Sequence, residues 1–87
     1  MIFTMLNFLE RLKHKHNFED VIWFNCHYYN YHELCVYRAE CCPCGKVVNK
    51  RVIYKGNFSS YANRQEKIDW WVSRGAITEE EFAFKYR

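Results

Sequence analysis

Glu40-Cys41-Cys42-Pro43-Cys44-Gly45-Lys46 is the stretch on which the reading of this chain turns. Cys41 and Cys44 straddle two residues and a glycine follows, the spacing of a metal-binding knuckle. Two thiolates so placed reach one ion from a single tight turn, and Gly45 can take the positive φ that lets backbone N–H groups face the sulfurs. Zinc is the ion first expected. A knuckle supplies two ligands and a closed structural site needs four, so two more donors have to come from elsewhere.

Two pairs are candidates. His14-Lys15-His16 lies well upstream, and residues 17–40 between it and the knuckle are long enough to run out as one strand and return as another. His32 and Cys35 have the more familiar two-residue gap, but about five residues separate Cys35 from Cys41, too few for a hairpin between two knuckles. The expected ligand set is therefore His14, His16, Cys41 and Cys44, with His32 and Cys35 as the alternative first pair. Cys26, Cys35 and Cys42 then read as packing thiols.

A chain of 87 residues builds only a small core, in the size range where apolar burial alone leaves folding marginal, so a metal staple fits its needs. Five cysteines cannot all pair within one chain. No secretory leader pattern opens the sequence and no apolar run is long enough to span a bilayer. These features read as a cytoplasmic protein, and in a reducing compartment closely spaced cysteines serve metals or redox chemistry more often than bridges. Aromatic residues make up 20% of the chain, more than a core this small can cover, so some rings are expected on a partner surface.

Along the chain, Ile2, Met5, Leu6, Leu9 and Leu12 recur at helical spacing and predict a helix over 2–13. Asp20–Asn25 is rich in β-branched and aromatic residues, residues 33–40 alternate, and Lys46–Lys55 carries Val47, Val48, Val52, Ile53 and Tyr54; these predict three antiparallel strands. From Ser59 or Ser60 the period changes to that of a helix, through Tyr61, Gln65, Ile68 and Val72, ending at Gly75. Thr78-Glu79-Glu80-Glu81 then reads as a capping box opening a second helix to about Tyr86, the two helices forming a hairpin with Ile68, Trp71, Val72, Ile77 and Phe82 between them.

Leu12-Lys13-His14-Lys15-His16-Asn17-Phe18 together with Tyr37-Arg38-Ala39-Glu40-Cys41-Cys42-Pro43-Cys44-Gly45-Lys46 resembles the small zinc-ribbon-like proteins of tailed bacteriophages, over roughly residues 9–55. The first knuckle carries histidine where cysteine is usual. Residues 68–87, above all Gly75-Ala76-Ile77-Thr78-Glu79-Glu80-Glu81-Phe82, resemble the SHOCT domain, a C-terminal helical hairpin that mediates self-association or docking, although Trp70 and Trp71 stand where smaller residues are usual. The fold these readings imply is α+β: an N-terminal helix, a three-stranded antiparallel zinc-ribbon-like sheet and a C-terminal two-helix hairpin. Residues 1–56 would form the metal-bearing module and 57–87 the hairpin of one compact unit.

Function is then expected in binding rather than catalysis, since a site with four protein ligands leaves no open position for a substrate. The leading expectation is a structural-zinc adaptor or inhibitor that docks on a protein, with Tyr28, Tyr29, Tyr31, Trp70 and Trp71 as contact residues. The phage resemblance implies a host protein target in transcription or defence machinery. The alternative is nucleic-acid binding along a basic strand through Arg38, Lys46, Lys50, Arg51 and Lys55; a formal net charge of only +3 gives that reading a weak field. Self-association through residues 60–86 is a further expectation.

Overall fold

The computed structural model describes residues 15–25 and 32–86. The helix expected over 2–13, His14, and Tyr28, Tyr29 and Tyr31 lie outside the described residues.

Strand β1 (Glu19–Phe24) pairs antiparallel with β2 (Glu33–Cys41), which pairs antiparallel with β3 (Val47–Asn57). Helix α1 (Tyr61–Val72) follows, then a two-residue strand β4 (Ile77–Thr78) and helix α2 (Glu79–Lys85). The sheet order is β3-β2-β1-β4, and β4 runs parallel to β1 through Trp23↔Ile77 and Phe24↔Thr78. The expected three-stranded antiparallel sheet is thus corrected to a four-stranded mixed sheet. The reason is tertiary: two residues carry no readable period, and Ile77-Thr78 becomes a strand only because the β1 edge is there to receive its hydrogen bonds.

The expected helical hairpin is corrected as well. Alternation along β1 and β2 splits the apolar residues between the two sheet faces. Phe24, Leu34 and Val36 point to one face, where Ile68 and Ala76 complete a buried cluster and Trp71 packs against it. Val21, Trp23, Ala39 and Cys41 point to the other, where Ile77, Phe82 and Tyr86 cover them. Helix α1 therefore lies on one face and α2 on the opposite one, with β4 carrying the chain round the edge between them. Phe82 lies flat on Trp23, ring centroids 3.8 Å apart and planes within 7°. Of the residues that the hairpin reading set against each other, Ile68 and Trp71 grip the sheet from one side and Ile77 and Phe82 from the other, while Val72 is exposed.

Local chemistry sets the helix boundaries. The Ser60 hydroxyl accepts from the Asn63 N–H at 3.2 Å and the Thr78 hydroxyl from the Glu81 N–H at 3.1 Å, each satisfying a donor that the first turn leaves orphaned. After α1 the chain reverses at Gly75, whose φ of +96° is open to glycine at little cost.

One buried charge ties α1 to the sheet. Arg64 is 6% exposed, and its guanidinium donates from Nε to the Glu33 carbonyl at 3.0 Å and from Nη2 to the Asn25 carbonyl at 3.2 Å. Asn25 in turn accepts from the Cys35 N–H through its side chain, 2.6 Å, and donates its own N–H to the Cys35 carbonyl, 3.1 Å. The last residue before segment 26–31 and the first strand residue after it are thereby held by one side chain. Arg64→Ala leaves two carbonyls without their donors in a dry place, and we expect a loss of about 2–3 kcal/mol in urea unfolding. Arg64→Lys should recover only part of it, because one ammonium cannot reproduce the planar fork that meets both carbonyls.

Candidate metal centre

The β1–β2 ladder places the site. Its register runs from Phe24↔Val36 to Glu19↔Cys41, and continuing it three residues beyond the last pair sets His16 opposite Cys44. Beyond β2 the chain turns through Cys42-Pro43-Cys44-Gly45, closed by the Gly45 N–H on the Cys42 carbonyl and the Cys42 N–H on the Lys46 carbonyl, each 2.9 Å. Gly45 takes φ +101°, which closes so tight a turn without a Cβ clash.

His16, Cys42 and Cys44 converge there, their donor atoms all within 4.8 Å of one another. The His16 Nδ1 is 3.4 Å from the Cys44 sulfur. His16 and Cys44 are exposed and Cys42 is buried, so the group sits at the rim of the sheet with one donor anchored inside. One imidazole nitrogen and two sulfurs make a set that can hold a metal ion.

Of the four expected ligands, the structure brings together His16 and Cys44. Cys41 is elsewhere: it is the last residue of β2, fully buried with Val21, Trp23 and Ala39. Cys42 occupies the place expected of it. The reason is the pleat, since neighbours along an extended chain point to opposite sides. Cys35, Tyr37 and Ala39 were already readable as one face, and carrying that alternation one step further assigns Cys41 to the core and turns Cys42 away from it. Of the alternative pair, the Nδ1 of His32 lies 2.9 Å from the Phe58 carbonyl and Cys35 sits within β2, and neither is in the group.

Electrostatics separates the two adjacent thiols. Burial pushes the Cys41 thiol up, with the Glu40, Asp20 and Glu19 carboxylates adding to the effect, so it remains protonated at neutral pH. The Cys42 thiol is lowered to about 6, first by the backbone N–H of Cys44 donating to its sulfur, then by His16, the Cys44 side chain and the Asn17 backbone, against the opposing effect of desolvation. A thiolate is the ligand form, and the turn favours it at Cys42.

The basic residues proposed for nucleic acid are largely committed within the fold. Arg38 forms a two-pronged pair with Asp20, its Nε 2.8 Å from Oδ1, and holds the Asp20 carboxyl below the usual carboxylate range. Arg51 is 3.4 Å from Glu40 and Lys55 3.7 Å from Glu33. Lys50 lies over the Trp23 and Tyr37 rings on the face opposite Arg38, and Lys46 is exposed beside the turn.

On α1, Trp70 is 40% exposed. The Arg74 guanidinium carbon is 3.7 Å from its ring centroid and the Lys67 ammonium 4.5 Å, while Trp71 meets it edge-on at 4.9 Å and turns inward toward Tyr54. Phe58, Asn63 and Glu66 line a shallow hollow with Lys67 and Trp70.

Among the described residues no helix is long and apolar enough to cross a membrane. Compared with protein-family models, with curated proteins and with solved structures, the chain matches none.

Two outcomes follow from this geometry. With Co2+ as a visible probe, Cys42→Ser and His16→Ala should each weaken binding at least about 100-fold, with the sulfur-to-cobalt absorption per bound ion reduced by about half in Cys42→Ser and kept in His16→Ala, whereas Cys41→Ala should change neither affinity nor spectrum. In the metal-free protein, the ultraviolet thiolate absorbance removed by Cys42→Ser should titrate near 6. Because that folded value lies below the unfolded one, Cys42 supports folding fully only above the unfolded thiol's range near 8.5, and its contribution fades as pH falls through about 6.

Proposed function

We propose that the chain is a small zinc-stapled adaptor or inhibitor that acts by docking on another protein. The observation that carries this reading is the convergence of His16 with Cys42 and Cys44, residues as far as 28 positions apart in sequence. In a tetrahedral zinc site, bond lengths of about 2.3 Å to sulfur and about 2.0 Å to nitrogen put sulfur and nitrogen about 3.5 Å apart. The separation between Cys44 and His16 is 3.4 Å. His14, two residues before His16, is the donor the sequence offers for the fourth position.

Zinc bound there ties the entry to β1 onto the β2–β3 turn. In small metal-folded peptides such an ion contributes an apparent ~10–16 kcal/mol, enough to decide whether a chain of this size is ordered. The role is structural, and the function then belongs to the surface that the ordered fold displays. The reducing cytoplasm, where these thiolates persist, is the compartment that suits the site.

Trp70 is the contact residue the surface supports best. Its ring lies under the two cations Lys67 and Arg74, so the complementary partner is a protein segment that presents carboxylates beside an apolar side chain. The resemblance to tailed-phage proteins directs that docking at host transcription or defence machinery. Nucleic-acid binding along β3 has less support, because Asp20, Glu40 and Glu33 neutralise three of the five cations it needs.

A photocrosslinking residue at Glu66, beside Trp70, tests the docking in the native host. A protein adduct is expected, at least about 30-fold weaker in Trp70→Ala, abolished by Lys67→Glu with Arg74→Glu, and lost on zinc chelation. A nucleic-acid adduct, or a protein adduct indifferent to the charge reversal, sinks this reading.

A further inference from the structure

We propose that the same centre is a peroxide-sensitive switch, in which Cys42 and Cys44 close into a disulfide and expel the ion. This rests on the zinc reading above and adds regulation to it. The two sulfurs already lie within 4.8 Å of each other, on one turn closed by the Gly45 N–H to Cys42 carbonyl bond. Residues two apart in such a turn have Cα atoms about 5.5 Å from each other, inside the range a disulfide spans.

Access is divided to suit the chemistry. Cys44 is exposed and meets a dissolved oxidant directly, while Cys42 is buried and is reached only by its neighbour. The third nearby thiol, Cys41, is sealed against Trp23, Val21 and Ala39 on the other side of the strand, which removes it from the exchange. Among the described residues, Cys42 and Cys44 are the thiols that the turn brings together.

With hydrogen peroxide as oxidant, the Cys44 thiolate attacks one peroxide oxygen, the O–O bond breaks, and hydroxide leaves a sulfenic acid on Cys44. The Cys42 thiolate then attacks the Cys44 sulfur, forming the S–S bond and releasing a second hydroxide. Two electrons pass from the two sulfurs to one peroxide, two protons convert the hydroxides to water, and Zn2+ is released when both thiolates are gone. The imidazoles left behind, His16 and the His14 offered for the fourth position, do not retain it without the sulfurs. A dithiol reductant and fresh Zn2+ reverse the sequence.

Full-length, zinc-loaded protein treated with stoichiometric hydrogen peroxide tests the switch, with free zinc read by a chromogenic chelator and bond position by peptide mass spectrometry. One zinc released per Cys42–Cys44 disulfide, unchanged in Cys35→Ala and in Cys41→Ala and reversed by reductant plus zinc, is the expected result. Zinc-loaded protein that resists peroxide, or that loses zinc with sulfinic acid or a Cys41–Cys42 bond instead, overturns the switch and leaves the zinc reading standing. Protein that never binds zinc yet forms the disulfide overturns the zinc reading itself.

Discussion

The antiparallel ladder between β1 and β2 is the constraint on which the remainder of the molecule rests. Its register places Trp23 beside Tyr37 and Phe24 beside Val36, giving each sheet face its own apolar cluster. Extended by three residues at one end, it delivers His16 to the knuckle. At the other end it is tied off by Asn25 and by Arg64 from α1. A slip of one residue would exchange the two faces, expose Trp23 to α1 rather than Phe82, and move His16 off Cys44. Core packing and the convergence of His16 with Cys42 and Cys44 are therefore consequences of one pairing, not two separate achievements of the chain.

Splitting so small an apolar complement between two faces has an energetic consequence. Among the described residues each cluster holds four or five buried side chains, and a helix of two turns is the main cover on the α2 side. Burial of one such aliphatic or aromatic side chain contributes roughly 1.5–3 kcal/mol, and ordering each residue costs nearly as much, so neither cluster stands with much margin alone. The strand entry preceding Glu19 lies beyond both clusters. A metal held by His16, Cys42 and Cys44 would act where packing ends, which is the place a staple changes most.

Much of this was legible in the residues. β-Branched and aromatic runs marked β1, β2 and β3 to within a residue or two, and Ser60, Gly75 and Thr78 punctuated the helices, because caps and turns depend on chemistry local to a few positions. What escaped was long-range. Ile77-Thr78 joins the sheet through partners more than fifty residues away, and the opposite placement of α1 and α2 follows from which sheet face each apolar stripe meets. Basic residues 38, 51 and 55 looked like a phosphate track in one dimension; only register shows Asp20, Glu40 and Glu33 beside them. Arg64 gave no sign of its buried role, since a helical arginine usually faces water.

The pair Cys41-Cys42 shows most clearly why spacing alone misassigns a donor. A two-residue gap is the signature of a knuckle when the chain is already turning at the first cysteine, but here the strand continues through Cys41 and the turn begins at Cys42. The pleat then decides. Cys41 is pressed among apolar neighbours and carboxylates that raise its pKa, while Cys42, also buried, opens the turn, where the N–H of Cys44 and the imidazole of His16 favour the thiolate. Two identical side chains, adjacent in sequence, thus sit in opposite electrostatic settings, one favouring the thiol and the other the thiolate, because the pleat sends them to opposite sides of the strand.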